Sequence, residues 1–211
     1  MNTLSQDRWI SLWRSAQAKG DPLPWYERLA SAYAEPNRHY HNQRHIAECL
    51  REFDAVRQQS ENPQALEFAI WFHDTVYDPK AWDNEEKSAD LAAHCLADAK
   101  IDRSFAERVQ QLVMATKTHE AEPGIDLALI IDIDLTILGS SWVRFSEYEQ
   151  AIRGEYAWVP AEVFCAKRAM ILEKFLARDR IYSTEWFQRR YEQQARENLM
   201  KSIQNLKELS R

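Results

Sequence analysis

The chain has 211 residues, 45% of them hydrophobic and 28% charged, with 4 Gly, 7 Pro and a net charge of −6. At this length one soluble globular domain is the first expectation, and so few glycines among many Ala, Leu, Glu, Arg and Gln favour helices over sheets. The acidic balance, with no basic run, argues against general binding to a nucleic-acid polymer through its phosphates. A small anionic substrate needs only a local cationic site.

The N-terminal stretch "MNTLSQDRWISLW" is amphipathic, without the basic region and apolar core of a secretory signal. Apolar residues then recur at helical spacing over segments 5–18, 25–34, 40–58, 64–74, 84–98, 103–118, 126–138, 142–157, 161–177 and 184–209. "GDPLP" at 20–24 separates the first two segments, and Pro63 opens the fourth. "YDPKAWDNEE" reads as a loop ending in Asp83, with Glu86 three residues later as a capping box. Gly139 suits the position after a helix C-terminus, and Pro160 suits the first turn of the next helix. In "LALIIDIDLTILG" the apolar residues fit both a strand and a helical stripe. An isolated strand would have nothing to pair with, so the helix is preferred. The last segment, rich in Arg, Gln and Glu, reads as an amphipathic helix packed on the outside. No stretch approaches the ~18 apolar residues that cross a bilayer. Cys49, Cys95 and Cys165 are odd in number and widely spaced, which fits reduced, packed thiols in the cytoplasm. The expected fold is all-α, one compact domain.

The titratable residues carry the chemistry. In the fourth segment Leu66, Ala69 and Ile70 set an inward stripe with His73 near its centre and Asp74 at its shoulder. On the seventh, Asp134 falls on the inward stripe and Asp132 on roughly the opposite side. His41 and His45, in "YHNQRH", are four residues apart and would face one cleft if both were helical. His119 would continue the stripe of Phe105, Val109, Leu112 and Thr116 if that helix ran on, whereas His94 lies to one side of its own stripe. Carboxylates and imidazoles drawn toward one interior must be neutralised, hydrogen-bonded or bound to metal. Two imidazoles and two carboxylates suit a divalent ion such as Mn, Fe, Co, Ni or Mg, and Zn as well.

The ordered set His45, His73-Asp74 and Asp134 resembles the H…HD…D signature of the HD superfamily of metal-dependent phosphohydrolases. "YHNQRH" is similar to the YHNxxH segment of cyclic-nucleotide phosphodiesterases, and "HDTVYD" to the HDTVED segment of alarmone hydrolases, with Tyr77 in place of Glu. Over most of the chain the stretches "WFHDTVYDP", "DNEEKSA", "ATKTH", "DIDLTILG" and "IRGEY" resemble a bacterial group of predicted HD phosphohydrolases of about this length.

The resemblance implies a single HD-type bundle over residues 1–211, with the metal-site core at about 40–140 and the helices of 142–209 packed on it. It implies a divalent metal held by His45, His73, Asp74 and Asp134, with His41 as acid to the leaving group and Asp78 as a water-orienting carboxylate. Lys117, His119 and Arg153 become candidate contacts to substrate phosphate, His119 alternatively a ligand to a second metal, with Arg168 as a further fork. The implied activity is cytoplasmic hydrolysis of a small phosphorylated metabolite, a nucleotide first among them, at a phosphomonoester, phosphodiester or pyrophosphate bond. Neither a nucleic-acid polymer nor a membrane is an expected partner, and a homo-oligomer stays open. The missing Glu before Asp78 leaves a second reading: a catalytically idle HD fold that binds a nucleotide or acts as a sensor.

Overall fold

A computed structural model describes residues 4–120 and 123–209. Among the described residues ten α-helices follow one another: α1 (Gln6–Ser15), α2 (Leu23–Ala32), α3 (Gln43–Val56), α4 (Pro63–Phe72), α5 (Asn84–Asp98), α6 (Arg103–Ala115), α7 (Ile125–Asp134), α8 (Trp142–Glu155), α9 (Ala161–Leu176) and α10 (Glu185–Leu209). Short 3-10 turns occupy Arg57–Gln59 and Leu135–Gly139, and no strand occurs among the described residues. No helix among them is long and apolar enough to cross a membrane. The backbone groups into two units that divide at Ile133/Asp134, the last peptide of α7.

In the first unit α4 is the pivot. Pro63 sits at its first position, and Asn62 caps it by accepting the amide of Ala65 at 3.1 Å. Every residue from Ala65 to Phe72 is buried, as expected for a helix apolar on all sides. α1, α3, α5 and α6 pack against it. Trp9 of α1 meets Phe68 edge-on at 5.6 Å and Trp71 at 5.3 Å, contacts that add about 0.5–1.5 kcal/mol each beyond area burial. The one carboxylate within that run, Glu67, is paired with Arg8 and Arg57, as a buried charge requires.

Asp126 of α7 braces the chain just before α4. It is fully buried and accepts from Ser60 Oγ at 2.7 Å, from the amides of Glu61 and Asn62 at 3.0 Å each, and from Arg108 at 3.3 Å.

In the second unit, α8, α9 and α10 follow the 135–139 turn, which packs on α10 and α8. Asn198 of α10 donates to the carbonyls of Leu138 and Ser140, both at 2.8 Å, and the Tyr182 hydroxyl donates to the Leu135 carbonyl at 3.0 Å. Gly139 is needed here for space. A Cβ would stand 2.6 Å from Cβ and 2.7 Å from the carbonyl oxygen of Tyr191. The left-handed helix-ending role expected of it is not used, because Gly139 closes the 3-10 turn without a positive φ.

Two other local expectations change. Asp83 does precede α5 as its cap residue, but its side chain accepts no backbone amide there. Its carboxylate binds Lys87 at 2.8 Å, and Glu86 pairs with Lys117, so charge pairing replaces the capping box. α6 stops at Ala115, where the Thr116 hydroxyl turns back to the Val113 carbonyl at 2.7 Å, so the helix does not run on to His119.

Candidate metal centre

The end of α4 builds the centre. A helix C-terminus leaves carbonyls without intrahelical donors, and His73, the residue that closes α4, answers one of them. Its Nδ1 donates to the Ile70 carbonyl at 2.9 Å. A carbonyl can only accept, so the proton of a neutral His73 is fixed on Nδ1 and the Nε2 lone pair is presented outward. Metal-ligating imidazoles characteristically carry such a backbone acceptor on their other nitrogen.

That Nε2 faces His45 Nε2 at 3.1 Å, and both face Asp74 Oδ2, at 3.2 Å from His73 and 3.3 Å from His45. Both imidazoles are 2% exposed. Three electron-rich atoms this close require a cation or protons among them. Donors bound at ~2.1 Å stand about 3.0 Å apart at right angles and about 3.4 Å apart at tetrahedral angles. The observed triangle lies between those values, so the residues fit a divalent ion. Asp74 itself is held well below the usual carboxylate range. Burial, the largest influence, would raise it, but in the metal-free centre, with the imidazoles protonated, the charges of His73 and His41 and hydrogen bonds from His45 and His73 override that effect.

His45, Cys49, His73 and Asp134 also offer one donor atom each within 4.8 Å of one another, the first three buried and Asp134 partly so. Asp134 is the last residue of α7. Asp132, which the helical wheel turned away, is fully buried as well. The wheel separates the two carboxylates less cleanly than expected because α7 buries residues on every side.

His41 lies outside α3, since Asn42 caps that helix by accepting the Arg44 amide at 2.9 Å. It still stands 6.0 Å from His45 between ring centres, and it stacks on Tyr77 at 4.2 Å. The clasp that places it is Arg38, a residue the sequence reading did not single out. Its buried guanidinium donates to the carbonyls of Asp74 at 2.5 Å, Thr75 at 2.7 Å and His41 at 3.3 Å. One side chain therefore ties the loop before α3 to the turn after α4. Five donors in a fixed fork suit that task, but nothing in the periodicity of "NRHYHNQRH" distinguishes Arg38 from a surface arginine. The sequence alone marks Cys49 only as a packed thiol. The signal that could have found it is its i, i+4 spacing from His45.

The other candidates are placed as follows. Asp78 is exposed, and its carboxylate accepts the Lys80 amide at 2.9 Å, while Asn84 at the start of α5 clasps the Asp78 backbone. Lys117 is paired with Glu86 and donates to the Trp82 carbonyl at 3.0 Å, its ammonium 5.5 Å from the exposed Trp82 ring. His119 is half-buried with a left-handed backbone, φ 50°, and His94 is exposed on α5. In the second unit Arg153 donates to the carbonyls of Tyr156 at 2.6 Å and Val159 at 3.1 Å, closing the end of its own helix. Arg168 is buried against Glu149 and Tyr148. The structure thus brings His41, His45, His73, Asp74 and Asp134 to one centre, while Arg153 and Arg168 serve the packing of the second unit.

No family model matches the chain, and neither curated proteins nor solved structures give a match.

Proposed function

We propose that the protein is a metal-dependent phosphohydrolase acting on a small phosphorylated metabolite, with nucleotides as the first class to test. The observation that carries this reading is the His45–His73–Asp74 triangle with its sides of 3.1–3.3 Å. His45, His73, Asp74 and Asp134 would hold the ion. A divalent ion bound there supplies polarisation of a phosphoryl oxygen and acidifies a water.

The chain's own residues do the rest. His41 is positioned by Arg38 and Tyr77 at the edge of the centre, where its imidazolium can give its proton to the departing oxygen as the bond from phosphorus to that oxygen breaks. Asp74, held well below the usual carboxylate range, stays ionised at the centre. The resemblance to HD phosphohydrolases points the same way.

A panel of phosphomonoesters, phosphodiesters and nucleoside polyphosphates, run on chelator-stripped protein with Mn, Co, Ni, Mg or Zn restored, tests the reading. Turnover should depend on the added metal, and His41→Ala should retain metal while losing about 10²–10⁴ in rate, the usual worth of a general acid. Metal-dependent turnover unchanged in His41→Ala would remove the role given to that residue.

One observation favours the second reading, a nucleotide-binding or sensor protein without turnover. Tyr77 covers a face of His41, and the neighbouring Asp78 spends a carboxylate oxygen on its own turn. Bound metal with no hydrolysis across the panel would select that reading.

A further inference from the structure

We propose that Cys49 is a further donor to this centre and biases it toward a thiophilic ion, zinc, cobalt(II) or iron(II), over magnesium and manganese. The inference rests on the metal-centre reading but not on the reaction assigned to it.

Cys49 follows His45 by one turn of α3, so sulfur and imidazole lie on one face of the helix. Its Sγ is 3.7 Å from His45 Nδ1 and 3.8 Å from Nε2, and that Nε2 is the atom facing His73 and Asp74. A nitrogen bound at ~2.1 Å and a sulfur at ~2.3 Å stand about 3.5–3.8 Å apart on one tetrahedral or somewhat wider site. The separation from Nε2 is that of two co-ligands; the near-equal distance to Nδ1 puts the sulfur beside the ring, from where a turn of the Cys49 side chain would carry it to an ion on Nε2. The thiol belongs to the only such donor group among the described residues. Cys95 and Cys165 are buried and lie outside that group.

The consequence is selectivity. Imidazoles and carboxylates alone accept most divalent first-row ions and magnesium, whereas one thiolate shifts preference to softer ones. The exchange balances simply: the thiol proton leaves to solvent, and a sulfur–metal bond replaces one to water.

Chelator-stripped protein loaded with an equimolar amount of cobalt(II) tests this. Wild type and the Cys95→Ser/Cys165→Ser double variant should both show thiolate-to-cobalt charge-transfer absorption in the near ultraviolet. Cys49→Ser should lose that absorption while elemental analysis still finds cobalt. Its preference for zinc over manganese should also fall, by at least the ~10-fold that loss of an outer-shell partner typically costs. Bound cobalt without the band in wild type, or a band that survives in Cys49→Ser, overturns the assignment and leaves the imidazole–carboxylate centre standing. Protein that binds no cobalt overturns both. Should Cys49→Ser fail to fold, wild type and the double variant still decide.

Discussion

Around His73 the side chains are fixed by what the end of α4 leaves unsatisfied. The imidazole takes the Ile70 carbonyl, and Arg38 takes the carbonyls of Asp74 and Thr75. Beneath them the Tyr33 hydroxyl donates to the Trp71 carbonyl at 2.9 Å, with Thr75 Oγ1 at 3.2 Å. Tyr33 is 1% exposed, and its phenol is pushed up to about 12; burial is the main cause, opposed by the charge of His73 and aided by that of Asp74. A raised value means that folding favours the protonated form. The stabilisation is complete below the unfolded value of ~10 and is lost as pH rises toward 12, on the order of 2–3 kcal/mol over that interval. Denaturant unfolding between pH 9 and 12 should therefore show a shallower alkaline decline in Tyr33→Phe than in wild type. Identical declines would show that Tyr33 ionises as freely in the fold as out of it.

Among the elements, α4 depends on a residue from far along the chain. Asp126 accepts two backbone amides and a hydroxyl immediately before the helix. Asp126→Ala would strand those donors in a dry site and uncover part of the charge of Arg108, an expected loss of about 3–5 kcal/mol. Chemical denaturation would measure it, and a loss under about 1 kcal/mol would mean that water replaces the carboxylate without difficulty. Sequence periodicity locates the ten helices of the described residues, including α7, because a run such as "PQALEFAIWF" has few ways to bury itself. It could not see what depends on distant partners. The Asp126 brace joins residues 66 positions apart, and the capping box at Asp83 gives way to Lys87 and Lys117. The helical relation expected between His41 and His45 is broken by the cap at Asn42, yet the two rings stay neighbours through the loop that Arg38 holds. His73 and Asp74 were legible because an apolar helix ends on them. Cys49 and Arg38 were not, since their residue types are ordinary in a core and on a surface respectively.

For the molecule as a whole, the candidate donors come from α3, from the turn after α4 and from the end of α7, so a bound ion would join segments distant in sequence. An ion that binds only the folded state stabilises it by about 2.7 kcal/mol at a concentration 100-fold above its Kd, which raises the melting temperature by roughly 2–4 °C per kcal/mol at this chain length. The most direct measurement titrates zinc, cobalt(II) or manganese into chelator-stripped protein, following bound metal by elemental analysis and stability by thermal melting. Wild type should bind a divalent ion and melt at a higher temperature, and Asp74→Ala should do neither while remaining folded. Wild type that binds no ion, or an Asp74→Ala protein that binds and is stabilised equally, would contradict the account.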